Sequence, residues 1–523
     1  MKNKVMSARE AVNLIRPNDT IAVSGFVGLA HPEEISMEIE KSFLETGKPN
    51  NLTLFYGAGQ GDGKEKAMNH FAHEGLVKRV VGGHWNLAPK LGKMALDNKF
   101  EAYNFPQGVL LHLLRNIAGG KPGLFTHVGL KTFADPRVEG GKLNEITREN
   151  LVEIINLAGR EWLFYKGFPI NVGIIRGTTA DEKGNITMEK EGVYAESLVV
   201  AQAAKNSGGI VIAQVERLAQ NGSLNPKNVK VPGIYVDAIV VAKSENHWQN
   251  NLKQYDPSIS GEIRVPLSAL EPMELDERKI VARRASMELI PNAIVNLGIG
   301  MPDGVAVVAN EEGMEDIMTL TVESGPIGGV PTGGADFGAS INAEAIIDHH
   351  AQFDFYDGGG LDIAFLGLAQ ADREGNINVS KFGTRIAGCG GFINISQNAK
   401  KVVFCGTLTA GGLKVTIQDG KLKIINEGVQ KKFVNRVQQI TFSGEYAQEK
   451  KQPVLYITER AVFELKPNGI VLTEIAPGID LEKDVLNQID FEVKISDNLK
   501  QMDKRIFYPQ PMGIKEEILR KKN

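Results

Sequence analysis

The sequence predicts an α/β protein made of two similar open α/β halves with largely parallel sheets, and three observations carry that expectation. Short β-branched runs alternate with helix-period stretches along the whole length, the pattern of strands joined by crossover helices. The chain also repeats itself once, in two pairs of motifs that occur in the same order. Finally, a polar stretch from 244 to 277, with prolines at 257, 266 and 272 and no sustained periodicity, suits a surface linker. Together these set a boundary near 275, with one half at 1–275 and the other at 276–523.

Taken in order, the apolar runs Thr20–Val23, Leu52–Phe55, Ile210–Gln214 and Tyr235–Val241 read as buried strands of the first half. Ala293–Leu297, Met318–Thr321, Leu361–Phe365 and Lys401–Cys405 read the same way in the second. Met6–Ile15, Glu33–Phe43 and Arg278–Leu289 carry the apolar spacing of amphipathic helices. Lys515–Asn523 reads as a charged helix whose basic end is a solvated face.

The first repeated motif is Arg16-Pro-Asn-Asp-Thr-Ile-Ala-Val-Ser-Gly-Phe-Val-Gly before Pro32, matched by Ile290-Pro-Asn-Ala-Ile-Val-Asn-Leu-Gly-Ile-Gly before Pro302. Each gives a helix end, a strand, a Gly-rich turn and a Pro at the next helix start. The second pair, Ala180-Asp-Glu-Lys-Gly-Asn-Ile-Thr and Ala371-Asp-Arg-Glu-Gly-Asn-Ile-Asn, reads as two hairpins with Gly-Asn at the tip. The first pair lies 270 residues apart at its prolines and the second 191 at its aspartates. The first half therefore holds roughly 79 extra residues, expected as an insertion at about 90–163.

The 523 residues carry 59 basic and 63 acidic side chains, a net charge of −4. That balance argues against nucleic acid as a partner, since phosphate binding wants a basic face. Two cysteines, Cys389 and Cys405, suit a reducing compartment. No apolar run reaches the ~18 residues of a membrane span, and the N-terminal stretch does not read as a targeting signal. The expectation is a cytoplasmic protein with no membrane partner.

Several motifs are missing: no strict G-x-G-x-x-G, no G-x-x-x-x-G-K-[ST] and no G-x-S-x-G occurs. His70 and His73 lie three apart beside Glu74, but zinc would need further ligands and the other close pair is His349–His350. No metal is expected, and the pair reads as polar residues at a helix surface or a domain seam. Cys389 lacks a neighbouring His and reads as a small buried residue rather than a nucleophile.

Thr319-Leu-Thr-Val-Glu-Ser-Gly-Pro-Ile-Gly-Gly differs from these. An apolar strand ends at the carboxylate Glu323 and breaks into a Gly-rich turn, the strand end where open parallel sheets bind ligands. A strand-end Glu that merely accepts turn N–H bonds is the competing reading. Three more Gly-rich turns accompany it: Asn296-Leu-Gly-Ile-Gly-Met-Pro, Gly388-Cys-Gly-Gly-Phe-Ile-Asn and Tyr356-Asp-Gly-Gly-Gly-Leu-Asp. One carboxylate among such loops, with no metal motif or His base, points to an acyl group handled by a nucleophilic carboxylate and backbone donors.

Over essentially its whole length the sequence resembles family I coenzyme A transferases, close to propionate/acetate (short-chain acyl) CoA-transferases. Pro17-Asn-Asp-Thr-Ile-Ala-Val-Ser-Gly-Phe-Val-Gly with Pro32 resembles the N-terminal signature of that family. Thr321-Val-Glu-Ser-Gly-Pro-Ile-Gly-Gly resembles its glutamate signature, usually written Ser-Glu-Asn-Gly, with Val322 for the Ser and Ser324 for the Asn. Phe71-Ala-His-Glu-Gly-Leu, Gly83-His-Trp, Val231-Pro-Gly-Ile-Tyr-Val-Asp and Ala387-Gly-Cys-Gly-Gly-Phe-Ile-Asn-Ile are similar to the acetate and propionate branch.

The resemblance implies a ping-pong exchange of CoA between acyl-CoA and short-chain carboxylic acids through Glu323, with coenzyme A as substrate and no cofactor. It implies an active site between the halves, oxyanion donors around Gly390 and Gly391, and CoA contacts at Gly298, Gly300 and Gly388. Gln107 resembles a position near the acid pocket, and a homodimer or homotetramer is expected. An acyl-CoA hydrolase using the same carboxylate stays open as an alternative. A non-catalytic metabolite sensor ranks last, because no basic helix-turn-helix segment is visible.

Overall fold

The computed structural model describes residues 4–266 and 272–521. Residues 267–271 of the expected linker and the last two of the expected C-terminal helix lie outside the described residues. The chain divides into two compact units. One comprises Met1–Val265, Val322–Asp354 and Ser380–Asn394, and the other Pro266–Thr321, Phe355–Val379 and Ile395–Asn523. Two segments of the later chain thus pack with residues of the first 265.

The first unit is built on a sheet of β1 (Thr20–Val23), β2 (Leu52–Tyr56), β3 (Val77–Gly82), β4 (Glu101–Asn104), β5 (Val172–Arg176), β6 (Ile210–Val215) and β7 (Ala238–Val241). Its order is β7-β6-β5-β1-β2-β3-β4 and every pairing is parallel. β1 lies centrally, with Ile21 opposite both Leu54 and Val172. Because helices cover both faces, the strands read as continuous apolar runs rather than alternating ones. Ile21, Leu54, Tyr56, Val80, Ile174 and Ile212 share one core with Ile35, Ile39 and Leu91 from the helices and Trp85 from the loop after β3. Each such side chain contributes about 1.5–3 kcal/mol on leaving water.

The second unit carries β8 (Ala293–Leu297), β9 (Met318–Thr321), β10 (Ile363–Gly367), β11 (Lys401–Cys405), β12 (Val454–Ile457), β13 (Ala461–Lys466), β14 (Gly469–Ile475) and β15 (Lys494–Gln501). Neighbours run β9-β8-β10-β11-β12-β13-β14-β15. The pairs up to β12 are parallel, β12–β13 and β13–β14 are antiparallel, and β14–β15 is parallel. The run β12-β11-β10-β8-β9 repeats β7-β6-β5-β1-β2 strand for strand, so the repeated motifs occupy equivalent places.

Both Asp-x-x-Gly-Asn motifs are hairpins. Thr179–Asp181 pairs antiparallel with Ile186–Thr187, and Gln370–Asp372 with Ile377–Asn378. Asp181 accepts the N–H groups of Lys183 and Asn185, both at 2.9 Å, and Asp372 accepts those of Glu374 and Asn376 at 3.1 and 3.0 Å. Gly184 and Gly375 take φ of 90° and 85°, a region open to Gly at no steric cost.

Some element ends differ from the periodicity reading, for identifiable reasons. The helix Glu33–Thr46 runs past Phe43 because Gly47, at φ 71°, returns its N–H to Phe43 and caps the end. Strand β7 starts at Ala238 because the turn after Pro232 takes the N–H groups of Tyr235 and Val236. Helix Ala8–Val12 is shorter than the apolar pattern, held by reciprocal bonds between Ser7 and Glu10. The segment expected as an insertion holds a three-stranded antiparallel sheet, Gly123–Thr126, Arg160–Lys166 and Val152–Leu157. No helix of the described residues is long and apolar enough to cross a membrane.

Asp181→Ala would strip the first hairpin of a buried acceptor for two backbone N–H groups and the Asn185 amide. A loss of about 1–3 kcal/mol is expected, read as a lower urea midpoint for unfolding.

Candidate active site

Glu323 sits in a tight turn two residues beyond β9, where Val322 N–H bonds to Pro326 O at 2.9 Å and Gly325 N–H to Val322 O at 3.0 Å. The turn is pinned on both sides. Val322 is buried with Phe26, Val27, Ala58 and Phe337, the Ser324 hydroxyl donates to Gly338 O, and Gln352 Nε2 donates to Val322 O at 3.1 Å. The Glu323 side chain is half-buried, and it has neither a hydrogen-bond donor nor a cation among the described residues. Burial alone lifts its pKa from 4.5 to about 7.

Against this carboxyl lies the loop 388–391. A Cβ placed on Gly391 would stand 3.3 Å from Glu323 Cδ and Oε1 and 3.1 Å from Phe353 Cζ. A side chain here would crowd the carboxyl and the Phe353 ring, so glycine gives the backbone its close approach with least displacement. The loop is fixed by its own backbone. Gly388 N–H bonds to Ser380 O at 2.9 Å, Cys389 N–H to Asn104 Oδ1 at 3.0 Å and Gly390 N–H to Gly83 O at 2.8 Å. Gly390 O accepts the N–H of Gln107 at 2.9 Å. The Gly391 N–H is left without a partner among the described residues.

Gln107 starts the helix Gln107–Ala118 and is fully buried. Its Nε2 lies 2.8 Å from His349 Nε2, and His349 Nδ1 lies 3.0 Å from Glu196 Oε2. A carboxylate only accepts, so His349 donates its Nδ1–H to Glu196 and its Nε2 lone pair takes an N–H of Gln107. The Gln107 carbonyl oxygen is thereby turned the other way, to 3.6 Å from the Cβ position of Gly390. Glu196 Oε1 also accepts the N–H of Gly25 at 3.3 Å. The turn beyond Gly25 is strained, with Val27 and Ala30 at φ of 55° and 53°, a conformation that clusters at functional sites. The His349 ring lies 5.5 Å from that of Phe26 and 5.6 Å from that of Phe353.

The structure thus brings Glu323, Gly388, Gly390, Gly391 and Gln107 together in the first compact unit. Gly298 and Gly300 belong to the second, and their N–H groups are not bare as the composition of that turn suggested. Gly298 N–H bonds to Phe365 O at 2.8 Å and Gly300 N–H to the Asp303 carboxylate at 2.9 Å. The buried atom left unpaired beside them is Asn296 Oδ1. Sequence reasoning missed Glu196, Asn104 and His84 as parts of the site and weighed His349 only as a metal ligand. His84, in the quoted Gly83-His-Trp motif, lies with Cδ2 3.7 Å from the Cβ position of Gly390.

The other candidates have structural partners. His70 bridges Glu33 and Glu40 at 2.9 and 2.6 Å, and His73 bonds to Glu40 at 2.5 Å. Cys389 is buried, with its thiol pushed well up by desolvation, the opposite of an activated nucleophile.

A carboxyl whose folded pKa exceeds its unfolded one favours the fold fully below pH 4.5 and loses that contribution as pH rises through about 7. Glu323→Gln cannot titrate. Its stability should therefore gain on the parent's between pH 5 and pH 8, by at most about 3 kcal/mol, read as a rising difference in thermal midpoint. A pH-independent difference would refute the buried, unpaired carboxyl.

A family model described as coenzyme A transferase matches residues 5–242. The chain is 50% identical over 510 residues to the caffeate CoA-transferase of Acetobacterium woodii, covering 96% of this chain and 97% of that one. It is 45% identical to the acetate CoA-transferase YdiF of Escherichia coli K12, covering 97% and 96%. The crystal structure of the acyl-CoA transferase YdiF apoenzyme from Escherichia coli O157:H7 superposes with a TM-score of 0.93 at 44% identity, over 98% of this chain and 97% of that one. A thioester complex of that protein with CoA gives 0.92. With similarity running through nearly the full length of both chains, this chain is an enzyme of the coenzyme A transferase family.

Proposed function

We propose that the enzyme exchanges CoA between short-chain acyl-CoA and carboxylate by a ping-pong reaction at Glu323. The observation that carries the reading is an unpaired carboxyl held 3.3 Å from where a Cβ on Gly391 would lie. Glu323 attacks the thioester carbonyl, the C–S bond breaks, and a mixed anhydride and CoA thiolate result. The thiolate then attacks the glutamyl carbonyl, expelling the first acid as carboxylate and leaving a glutamyl-CoA thioester. A second carboxylate runs the same steps in reverse and departs as its CoA ester. Coenzyme A is a cosubstrate and is regenerated in bound form.

Each attack places negative charge on a carbonyl oxygen. The free N–H of Gly391 is the donor suited to receive it, and a donor of this kind contributes about 2.7–4 kcal/mol to the barrier. Gly390, whose N–H is held by Gly83, shapes the loop rather than donating. Desolvation strips Glu323 of hydration, which supports attack on a carbonyl and keeps water from the anhydride. The short-acid preference rests on the Val322-Glu-Ser-Gly signature, on the relative named for acetate, and on the apolar cluster of Phe26, Val322 and Phe337 at the residue preceding Glu323. CoA contacts at Gly298, Gly300 and Gly388 belong to the same proposal.

Glu323→Gln should lose at least about 10³-fold in transfer rate, since an amide forms no anhydride. Borohydride added after acetyl-CoA should reduce the glutamyl thioester and mark Glu323; a mark on another residue would sink the assignment. An acceptor series assayed with acetyl-CoA should rank propionate and butyrate, and isotopically labelled acetate followed by exchange, above lactate and caffeate. Faster transfer to caffeate would overturn the short-chain reading, and thiol release without any acceptor acid would favour a hydrolase.

A further inference from the structure

We propose that His84 and Gln107 form a donor–acceptor pair on one side of Gly390 that reads the secondary amide nearest the thiol of coenzyme A. The proposal rests on Glu323 being the nucleophile, because that fixes where the sulfur lies.

The pair follows from two independent constraints. Gln107 has its NH₂ turned to His349, which is itself oriented by Glu196, so its Oε1 faces Gly390 as an acceptor. His84 Nδ1 is buried without a hydrogen-bond partner. It is packed so closely on Gly59 that a Cβ there would lie 2.4 Å from it. A proton on Nδ1 would be a buried donor with no acceptor, which favours the tautomer with the ring proton on Nε2. That atom has neither a partner nor full burial among the described residues. It is bonded to Cδ2, the atom 3.7 Å from the Cβ position of Gly390. Burial and the Arg385 cation hold the imidazole pKa at about 4, so the donor is uncharged through the working pH range.

An acceptor and a donor flanking one spot complement a group with one N–H and one C=O, which is a secondary amide. Coenzyme A carries one two carbons from its sulfur, a reach of about 4 Å from standard bond lengths. Gly390 and Gly391 are adjacent, with α-carbons about 3.8 Å apart. Gly391 faces the Glu323 carboxyl and Gly390 faces the pair. With the sulfur beside Glu323, this amide falls at Gly390.

The test compares kcat/KM for three thioacetates with propionate as acceptor: S-acetyl-N-acetylcysteamine, its ester isostere with oxygen replacing N–H, and an alkyl thioacetate of equal length. The parent enzyme should prefer the amide to each of the others by about tenfold or more. His84→Ala should collapse the preference over the alkyl thioester, and His84→Gln, which keeps an N–H donor, should restore part of it. Gln107→Met should collapse the preference over the ester. Absence of preference in the parent, or variants that slow all three substrates equally, would overturn the proposal. Borohydride marking of Glu323 in the His84→Ala enzyme separates the two readings. Marking with unchanged preference defeats only the amide pair, whereas no marking in the parent defeats the nucleophile.

Discussion

A half-buried carboxyl with no donor and no cation destabilises the fold that contains it, and the rest of the site is arranged around keeping Glu323 in that condition. A single well-placed lysine or a pair of turn N–H groups would return its pKa to the ordinary range and dull it as a nucleophile. The fold withholds both. The Glu323 turn closes on its own backbone, Ser324 and Gln352 anchor it from either side, and Phe26 and Phe337 share an apolar cluster with the adjacent Val322. Opposite, glycine backbone brings a neutral dipole rather than a charge, so stabilisation is available to a developing oxyanion without quenching the resting carboxylate.

Preorganisation of that glycine loop comes from residues far away in the chain. Asn104 donates to Gly82 O and Gly83 O and accepts the N–H of Cys389, tying the end of β3 to the loop through one buried amide. Gly83 must be glycine for this to work, since a Cβ there would fall 1.9 Å from Gly57 O. The second buried carboxylate, Glu196, shows the contrast. It accepts from His349 and from Gly25 and serves as an anchor, whereas Glu323 accepts from nothing. Two glutamates of one unit thus acquire different tasks from their neighbours alone.

What the sequence reveals divides along the same line. β8 and β11 were legible to the residue because largely buried parallel strands are short apolar runs, each ending at a Gly; β9, only partly buried, was bounded to the residue as well. The two Asp-x-x-Gly-Asn hairpins were legible because their hydrogen bonds are local. Glu323 stood out because a carboxylate at a strand end breaking into Gly-Pro has no place in a core. Glu196, His349 and Asn104 act through partners more than a hundred residues away in sequence, so no window of sequence contains their meaning. Nor does composition say which glycine N–H stays free. Gly298, Gly300, Gly388 and Gly390 all have theirs bonded, and Gly391 does not.

In the proposed reaction, the same uncompensated burial bears on which way the anhydride breaks. Thiolate attack at the acyl carbonyl would expel Glu323 and simply restore acyl-CoA, whereas attack at the glutamyl carbonyl expels the substrate acid and carries the exchange forward. An ordinary carboxylic acid has a pKa near about 4.3, and Glu323 sits at about 7. The acid is therefore the better leaving group by two to three pKa units, and on release it regains the full hydration that the half-buried Glu323 lacks. In the proposed reaction, burial that weakens the resting fold would thus bias the intermediate toward the glutamyl thioester, so that one desolvated side chain would account for both the strength of the proposed nucleophile and the direction of the step that follows.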